Sequence, residues 1–226
     1  MLQPGHRILV ISPHPDDETI GCGGTIRKAA NLGCEVFVIT VAGPRPPLYS
    51  PEAFERTREE ALRAHKILGV ASGEFLGLPA GEIQTSSHCE LNNRLAKTIA
   101  ELNPDIVFTP FRDRMLDHKA VFESAMVATR PTQPKRKLHL LAAYEVVSQT
   151  HWTAPGIEPS FTPNWFVNIS NAIDTKLEAM RAYSSQLQPP PQARSIESLR
   201  ALALFRGSTV ATPYAEAFQI IRMFSD

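Results

Sequence analysis

Short runs of β-branched residues, separated by segments of helix length, constrain the fold of this chain more than any other feature. Ile8-Leu9-Val10-Ile11 and Val36–Val41 have the continuous apolar character of strands buried on both faces of a sheet. The segment between them, from about Thr19 to Leu32, has helical spacing and ends at Gly33, a typical C-terminal cap. A strand, a helix and a second strand in this order predict a βαβ unit with parallel strands.

The same alternation continues through the middle of the chain. A second helix is predicted from Pro51 to Gly69, and a brief strand at Glu74-Phe75-Leu76. Further elements are predicted as a helix at 91–102, a strand at 104–110, a helix at 117–129 and strands at 138–147 and 165–169. We therefore predict one α/β domain over residues 1–226, with a mostly parallel sheet that collects ligands at the carboxyl ends of its strands.

The composition favours a small-molecule partner. The 23 basic and 23 acidic residues cancel, so no net field attracts the chain to nucleic acid or to an anionic membrane. The short basic run Lys135-Arg136-Lys137 is predicted to be a solvated loop. The three cysteines have no paired spacing, and the first residues include no stretch long enough for a signal core or a membrane span. We expect a reducing, cytoplasmic location, and the sequence leaves a homo-oligomer open.

A histidine and two aspartates follow the first predicted strand, in Pro13-His14-Pro15-Asp16-Asp17-Glu18. A zinc ion that supports hydrolysis takes about three nitrogen and oxygen ligands and keeps a position open for water. His14 and one aspartate would supply two of these ligands. The second aspartate would be free to act as a base toward a water molecule whose pKa the metal lowers to about 7. Spacing alone does not decide which aspartate has which role.

The third ligand is expected at the end of a neighbouring strand. His118 follows the strand predicted at 104–110 and is the best candidate. Asp117 or Asp113 could hold its imidazole through the other ring nitrogen. Each of these residues alone has an ordinary structural explanation, because aspartates often cap helices and single histidines are common at surfaces. Their occurrence at two adjacent strand ends predicts a metal-dependent hydrolase.

The same residues resemble the PIG-L/LmbE-like family of zinc-dependent N-deacetylases, and the likeness extends over most of the chain. The matching blocks are Pro13–Glu18, Gly21-Cys22-Gly23-Gly24-Thr25, Asp117-His118, Arg206-Gly207 and Tyr214–Phe218. The resemblance implies a Rossmann-like three-layer sandwich and removal of an acetyl group from an N-acetylated amino sugar or glycoconjugate. It also implies zinc, or another divalent metal, held by His14, Asp17 and His118, with Asp16 as the general base.

The chain departs from the family pattern at a position that bears on catalysis. The family often has a histidine three residues before the last ligand, thought to stabilise the oxyanion or assist the leaving amine, and this chain has Met115. A thioether cannot donate a hydrogen bond. We expect the metal alone, or Arg112 or Arg114, to supply positive charge instead. The family also tends to have a substrate-facing arginine on the second helix, and Arg58 or Arg56 is predicted to take that role.

Two other functions are compatible with these residues. A metal-binding module that has lost turnover would explain Met115, and an amidase acting on a larger conjugate would use the proline-rich loop Ala42–Pro51 to admit it. A nucleotide site is not favoured, because the glycines of Gly21–Thr25 lack the G-x-G-x-x-G spacing. Trp152, in the loop over 149–164, could stack on the face of a sugar.

Overall fold

The computed structural model describes residues 1–132 and 138–225. Its strands are β1 (Arg7–Ser12), β2 (Glu35–Gly43), β3 (Ser72–Pro79), β4 (Ile106–Pro110), β5 (Leu140–Tyr144), β6 (Trp165–Asn168) and β7 (Ala215–Met223). Its helices are α1 (Asp17–Asn31), α2 (Pro51–Leu68), α3 (His88–Leu102), α4 (Leu116–Ala128), α5 (Ile173–Ala182) and α6 (Ile196–Ser208). The basic run predicted as a loop at 135–137 lies outside the described residues.

The described strands form one sheet in the order β3-β2-β1-β4-β5-β7-β6. Strands β1 to β5 are parallel, whereas β7 runs antiparallel to both β5 and β6. The prediction of an α/β fold with a mostly parallel sheet is therefore confirmed. The last strand lies between β5 and β6 and not at an edge, an arrangement that no feature of the sequence had indicated.

Helices cover both faces of the sheet and create two hydrophobic cores. Along β1, Ile8 and Val10 belong to one core and Leu9 and Ile11 to the other, as the alternation of side chains along a strand requires. The first core receives α1, α2, α5 and α6, and the second receives α3 and α4. This is the three-layer sandwich that the family resemblance implies. None of the described helices combines the length and the apolar character needed to cross a membrane.

A buried ion pair anchors the backbone of α1 to strand β7. Glu216 of β7, only 4% exposed, accepts hydrogen bonds from the backbone N–H groups of Gly24 (2.8 Å) and Thr25 (2.7 Å). Lys176 of α5 donates to the same carboxylate at 2.6 Å and to the carbonyl oxygen of Ile20 at 2.7 Å. Two blocks of the family resemblance, Gly21–Thr25 and Tyr214–Phe218, are therefore in direct contact.

The glycines of α1 are required by close packing. A Cβ atom at Gly21 would overlap the ring of Tyr144, and one at Gly24 would lie 2.7 Å from Ile169 Cδ1. Tyr144 cannot move away freely, because its hydroxyl donates a 2.8 Å hydrogen bond to the carbonyl oxygen of Ile11. The glycines thus permit α1 to pack closely against the end of β5 and the residue that follows β6.

The centre of the sheet contains a topological switch point. From β1 the chain continues to β2 on one side, and β4 later pairs with β1 on the other side. In open α/β sheets the crevice outside the carboxyl ends of two such strands is where ligands bind. The loops that follow β1 and β4 bring the predicted site residues to this crevice.

Candidate active site

Three side chains of metal-ligand type converge at the switch point. His14 lies in the loop after β1, Asp17 begins α1, and His118 lies in the first turn of α4. Each offers a ligand atom, and these atoms all lie within 4.8 Å of one another. Asp17 Oδ2 is 3.2 Å from His14 Nδ1 and 3.2 Å from His118 Nε2. These are the three residues that the family resemblance implies as ligands.

A carboxylate holds the other ring nitrogen of each histidine. His118 Nδ1 is 2.9 Å from Asp113 Oδ2, and His14 Nε2 is 2.9 Å from Asp117 Oδ2. Such carboxylate partners fix the tautomer and the orientation of metal-binding imidazoles. The sequence left open whether Asp113 or Asp117 would hold His118. In the structure Asp113 has that position, and Asp117 holds His14 instead.

Backbone groups from the loop after β3 fix Asp117. Its Oδ2 accepts a hydrogen bond from Gly81 N at 2.6 Å, and its Oδ1 accepts one from Ile83 N at 3.0 Å. Burial opposes ionisation of Asp117, but His14 and these N–H donors lower its pKa below the ordinary value. Asp117 is therefore an ionised acceptor that orients His14.

The residues fit a divalent metal ion. His118 Nε2 and Asp17 Oδ1 are buried and have no hydrogen-bond partner among the described residues, although buried polar atoms are ordinarily paired. Burial favours the neutral acid at Asp17, yet His118 and His14 hold the pKa of this carboxyl well below its usual range. A cation between two imidazoles and a carboxylate would pair these atoms, and this donor set is one that zinc accepts.

The surroundings of His14 and His118 favour a positive charge on both imidazole rings. Burial disfavours the charged form of His118, but Asp17 and Asp113 raise its pKa to about 10. Burial likewise opposes protonation of His14, while Asp117 and Asp17 raise its pKa to about 8. The acidic surroundings thus attract positive charge, which a bound divalent cation would supply in place of the protons.

Asp16 is buried beside this cluster in an unusual backbone conformation. Its φ angle is 118°, in the left-handed region that non-glycine residues rarely adopt. Oδ2 accepts a 2.8 Å hydrogen bond from Arg194 Nη1, and Oδ1 has no partner among the described residues. Burial raises the pKa of Asp16 to about 7, with contributions from Asp17 and Glu18 and against the lowering effect of Arg194. The side chain of Asp16 makes no capping hydrogen bond to α1, so side-chain capping does not explain an aspartate at this position.

A cavity of about 550 Å³ opens above these residues. His14, Asp16 and Met115 line it together with the loop before α2, the first turns of α2, the loop after β5 and the segment that joins α5 to α6. His14 and Asp16 are therefore accessible to a ligand, whereas Asp17 and His118 are completely buried. The residues that contribute from the surrounding segments include Tyr49, Arg56, Trp152, Gln186 and Arg194.

Most of the predicted arginines lie away from the cavity. Arg58 pairs with Glu55 at 2.7 Å and lies over the ring of Phe75, whereas Arg56 lines the cavity. Positions two residues apart on a helix point about 200° apart, so both cannot face the same ligand. Arg114 is exposed and is not among the residues that line the cavity. Arg112 pairs with Glu123 and also lies outside the cavity lining.

Two residues of the site escaped the sequence analysis. Glu18 is fully buried and accepts hydrogen bonds from the hydroxyls of Ser12, Thr19 and Tyr183 and from the backbone N–H of Asp16. Its place in the motif after β1 was the available signal. Arg194 reaches Asp16 across 178 residues and follows a proline-rich segment, and its own surroundings give no sequence signal.

Comparisons with known proteins identify the family of this chain. A family profile described as PIG-L: GlcNAc-PI de-N-acetylase matches residues 9–129, more than half of the chain. Diacetylchitobiose deacetylase of Thermococcus kodakarensis is 28% identical over 95% of this chain and 83% of its own length. A probable N-acetyl-alpha-D-glucosaminyl L-malate deacetylase 2 of Bacillus anthracis is 30% identical over 79% of this chain and 80% of its own length.

The fold has a close counterpart among solved structures. The conserved protein TT1542 from Thermus thermophilus superposes with a TM-score of 0.78 and 29% sequence identity, covering 98% of this chain and 97% of that one. The similarity thus extends over nearly the whole of both chains. By sequence profile, by overall similarity and by fold, the chain belongs to the PIG-L family.

Proposed function

We propose that the protein is a zinc-dependent N-deacetylase that removes the acetyl group from an N-acetylated amino sugar or a glycoconjugate. The relatives named above act, by their names, on N-acetylated sugars. The observation that carries the proposal is the convergence of His14, Asp17 and His118 beside the buried carboxylate of Asp16 at one cavity. Hydrolysis of an amide needs a polarised carbonyl and a base for water, and this arrangement offers both.

In this proposal, His14 Nδ1, His118 Nε2 and a carboxylate oxygen of Asp17 would hold the metal. A divalent ion there would supply a Lewis acid for the acetamido oxygen and would lower the pKa of the attacking water. Asp113 and Asp117 act through the histidines and keep their rings oriented. Zinc suits this set of nitrogen and oxygen donors, and another divalent metal of similar preference would serve the same purpose.

Asp16 is the proposed general base. Its Oδ1 has no partner among the described residues, so this oxygen can accept a proton from the water molecule as the water oxygen bonds to the carbonyl carbon. The same oxygen can return the proton to the sugar nitrogen as the C–N bond breaks, which leaves acetate and a free amine. Arg194 occupies Oδ2 and thereby determines which oxygen faces the reaction.

Met115 limits the rate that this site can reach. It lines the cavity at the position where the family often has a histidine. The alternative cations predicted from the sequence, Arg112 and Arg114, do not line the cavity. The oxyanion would then lack a donor at this position, and a missing oxyanion donor typically costs about 2.7–4 kcal/mol. We therefore expect slow turnover.

The test compares the wild type with Asp16→Asn and Asp17→Asn. Acetate release is measured from N-acetyl-D-glucosamine and N,N′-diacetylchitobiose with zinc present, and bound metal is measured by mass spectrometry. Asp16→Asn should keep its metal and lose activity by about 10²–10⁴-fold, the usual contribution of a positioned base. Asp17→Asn should lose the metal as well. Full activity in Asp16→Asn would exclude Asp16 as the base.

A metal-binding module without turnover is the second candidate, and Met115 is the observation that favours it. Such a protein would bind zinc and an N-acetyl sugar in calorimetry and release no acetate from either sugar. An amidase for larger conjugates would instead hydrolyse neither sugar and would cleave a bulkier acyl amide. The same assay, extended to N-acylated aryl amides, separates these outcomes from the proposed activity.

A further inference from the structure

Trp152 lies at the mouth of the cavity that contains the reacting groups. Its side chain is 63% exposed, yet it lines the same cavity as His14 and Asp16. His14 is 16% exposed and Asp16 only 1%, so exposure increases from the reacting groups toward Trp152. A ligand that reaches the metal position and is longer than one acetamido sugar would meet the indole.

The loop that carries Trp152 is fixed to the metal site on one side. Thr150 Oγ1 donates a 3.1 Å hydrogen bond to Asp113 Oδ2, the oxygen that also holds His118 Nδ1. The same hydroxyl accepts a 2.9 Å hydrogen bond from Val146 N. Thr150 is 4% exposed. Thr150, two residues before Trp152, is therefore held by Asp113, the carboxylate that also holds the proposed metal ligand His118.

The next residue fixes the loop on its other side. His151 Nε2 is 2.9 Å from Glu145 Oε2, and Arg206 holds the same carboxylate with two hydrogen bonds of 2.8 and 2.6 Å. Glu145 is 4% exposed, and His151 and Arg206 lower its pKa against the effect of burial. Trp152 N also donates to Ser148 O at 3.1 Å. Because the backbone at Trp152 is already held, binding of a ligand there has to order only the side chain and not the loop.

The surrounding wall has the chemistry of a carbohydrate site. Apart from Asp16, no described lining residue carries a carboxylate. The wall instead presents the side-chain amides of Gln149, Gln186, Gln188 and Gln192, which both donate and accept hydrogen bonds. A pyranose combines an apolar C–H face, which suits the electron-rich face of an indole, with a rim of hydroxyls, which suits amides.

We propose that Trp152 forms a second sugar subsite, which stacks on a pyranose linked to the N-acetylated sugar whose amide is cleaved. The inference rests on the proposed function and specifies its substrate class: a glycoside with at least two rings. The 550 Å³ cavity accommodates such a ligand. The subsite increases affinity without touching the reacting amide.

The experiment uses the zinc-loaded full chain with N-acetyl-D-glucosamine and its β-1,4-linked dimer, N,N′-diacetylchitobiose. Trp152→Ala should raise KM for the dimer about tenfold, equivalent to about 1.4 kcal/mol. It should leave KM for the monosaccharide and kcat for both sugars unchanged. In Trp152→Phe, KM for the dimer should lie between the values of the wild type and Trp152→Ala, because a smaller ring keeps part of the stacking. Ile157→Ala is the matched control: Ile157 is 83% exposed and does not line the cavity.

Three results would overturn the subsite. One is an unchanged KM for the dimer in Trp152→Ala, and another is an equal loss on both sugars. The third is a change of oligomeric state in analytical ultracentrifugation with equal slowing of both sugars, which would make Trp152 part of a protein interface. If the wild type releases acetate from neither sugar, the proposed function fails separately. In that case, calorimetry measures the affinity of the dimer for the wild type and for Trp152→Ala. The subsite requires an affinity about tenfold weaker in Trp152→Ala.

Discussion

Arg194 Nη1 donates a 2.8 Å hydrogen bond to Asp16 Oδ2 and leaves Oδ1 of the same carboxylate without a partner among the described residues. The guanidinium lies on the segment between α5 and α6, outside the part of the chain that the family profile matches. Glu18 holds the backbone N–H of Asp16 at 3.2 Å. The orientation of this carboxylate thus depends on a distant loop as well as on its own motif.

Replacing Arg194 should slow the reaction more than it weakens binding. In Arg194→Gln the carboxylate of Asp16 loses its charged partner and rotates more freely, and a displacement of about 1 Å can cost about a hundredfold in rate. We expect kcat to fall by about that factor while bound metal and KM change little. Steady-state kinetics together with metal analysis provide the measurement.

Two further variants control for the role of Arg194. Arg194→Lys should recover part of kcat, because an ammonium can still pair with Asp16 although it lacks the planar fork. Arg56→Gln removes the other guanidinium that lines the cavity and should affect KM more than kcat. An Arg194→Gln enzyme with normal kcat would show that Asp16 is positioned without it.

Loss of the carboxylate behind His118 should weaken metal binding. In Asp113→Asn the imidazole loses its ionised partner, and such changes typically reduce metal affinity about 10–100-fold. Competition with a chromophoric zinc chelator measures the affinity directly. Asp105→Asn is a suitable control, because Asp105 accepts a hydrogen bond from Arg7 N at the amino end of β4, opposite the end that leads to His118. Equal zinc affinity in the Asp113 and Asp105 variants would contradict the assignment.

The buried pair of Lys176 and Glu216 should dominate the stability of α1. Lys176→Met leaves the Glu216 carboxylate buried without its cation, and breaking such a pair typically costs about 3–5 kcal/mol. Urea unfolding of the metal-free protein gives the change in free energy of unfolding. Asp174→Asn on the same helix is the control: Asp174 is 84% exposed, and its ion pair with Arg200 should contribute less than about 1 kcal/mol. A loss below that value in Lys176→Met would contradict the prediction.

Two glycines of α1 should respond differently to alanine. Both substitutions gain the same intrinsic helix propensity, about 1 kcal/mol. A Cβ at Gly21 would overlap the ring of Tyr144, whereas one at Gly23 would lie 3.1 Å from Lys176 Cγ, a tight contact without overlap. Overpacking costs about 1–3 kcal/mol, so Gly21→Ala should unfold at lower urea concentration than Gly23→Ala. Equal midpoints would mean that Tyr144 relaxes easily.

The loop after β1 was predictable, because the residues that define it are close together in the sequence. A β-branched run, a turn and a helix within the first 32 residues identify a parallel strand whose carboxyl end presents His14, Asp16 and Asp17. The second strand end supplied His118 by the same reasoning. Nearby residues could not decide whether Asp113 or Asp117 holds the imidazole of His118, because that depends on how the loops after β3 and β4 pack against one another. Spacing therefore indicated His14, one of two aspartates and His118 as candidate ligands, and the resemblance implied Asp17. Neither indicated which carboxylate holds which histidine.

The second half of the fold was harder to predict for a physical reason. Helix α6 exposes Leu204 (53%) and Phe205 (59%), so its sequence lacks the apolar stripe that marks an amphipathic helix. The position of β7 between β5 and β6 depends on pairing between strands far apart in the chain, which no periodicity encodes. Arg194 shares this difficulty, since only the folded chain brings it to Asp16.

The carboxylate that anchors α1 comes from the last strand of the sheet. Gly24 and Glu216 are separated by 192 residues, and protein synthesis proceeds from the amino end. During translation, α1 therefore leaves the ribosome long before its anchor is made, and β6 likewise precedes the strand with which it pairs. A nascent chain that ends before β7 contains every proposed metal ligand but lacks the carboxylate that anchors α1, the helix that carries Asp17. We therefore expect a metal ion to find the native arrangement of these ligands only late in synthesis.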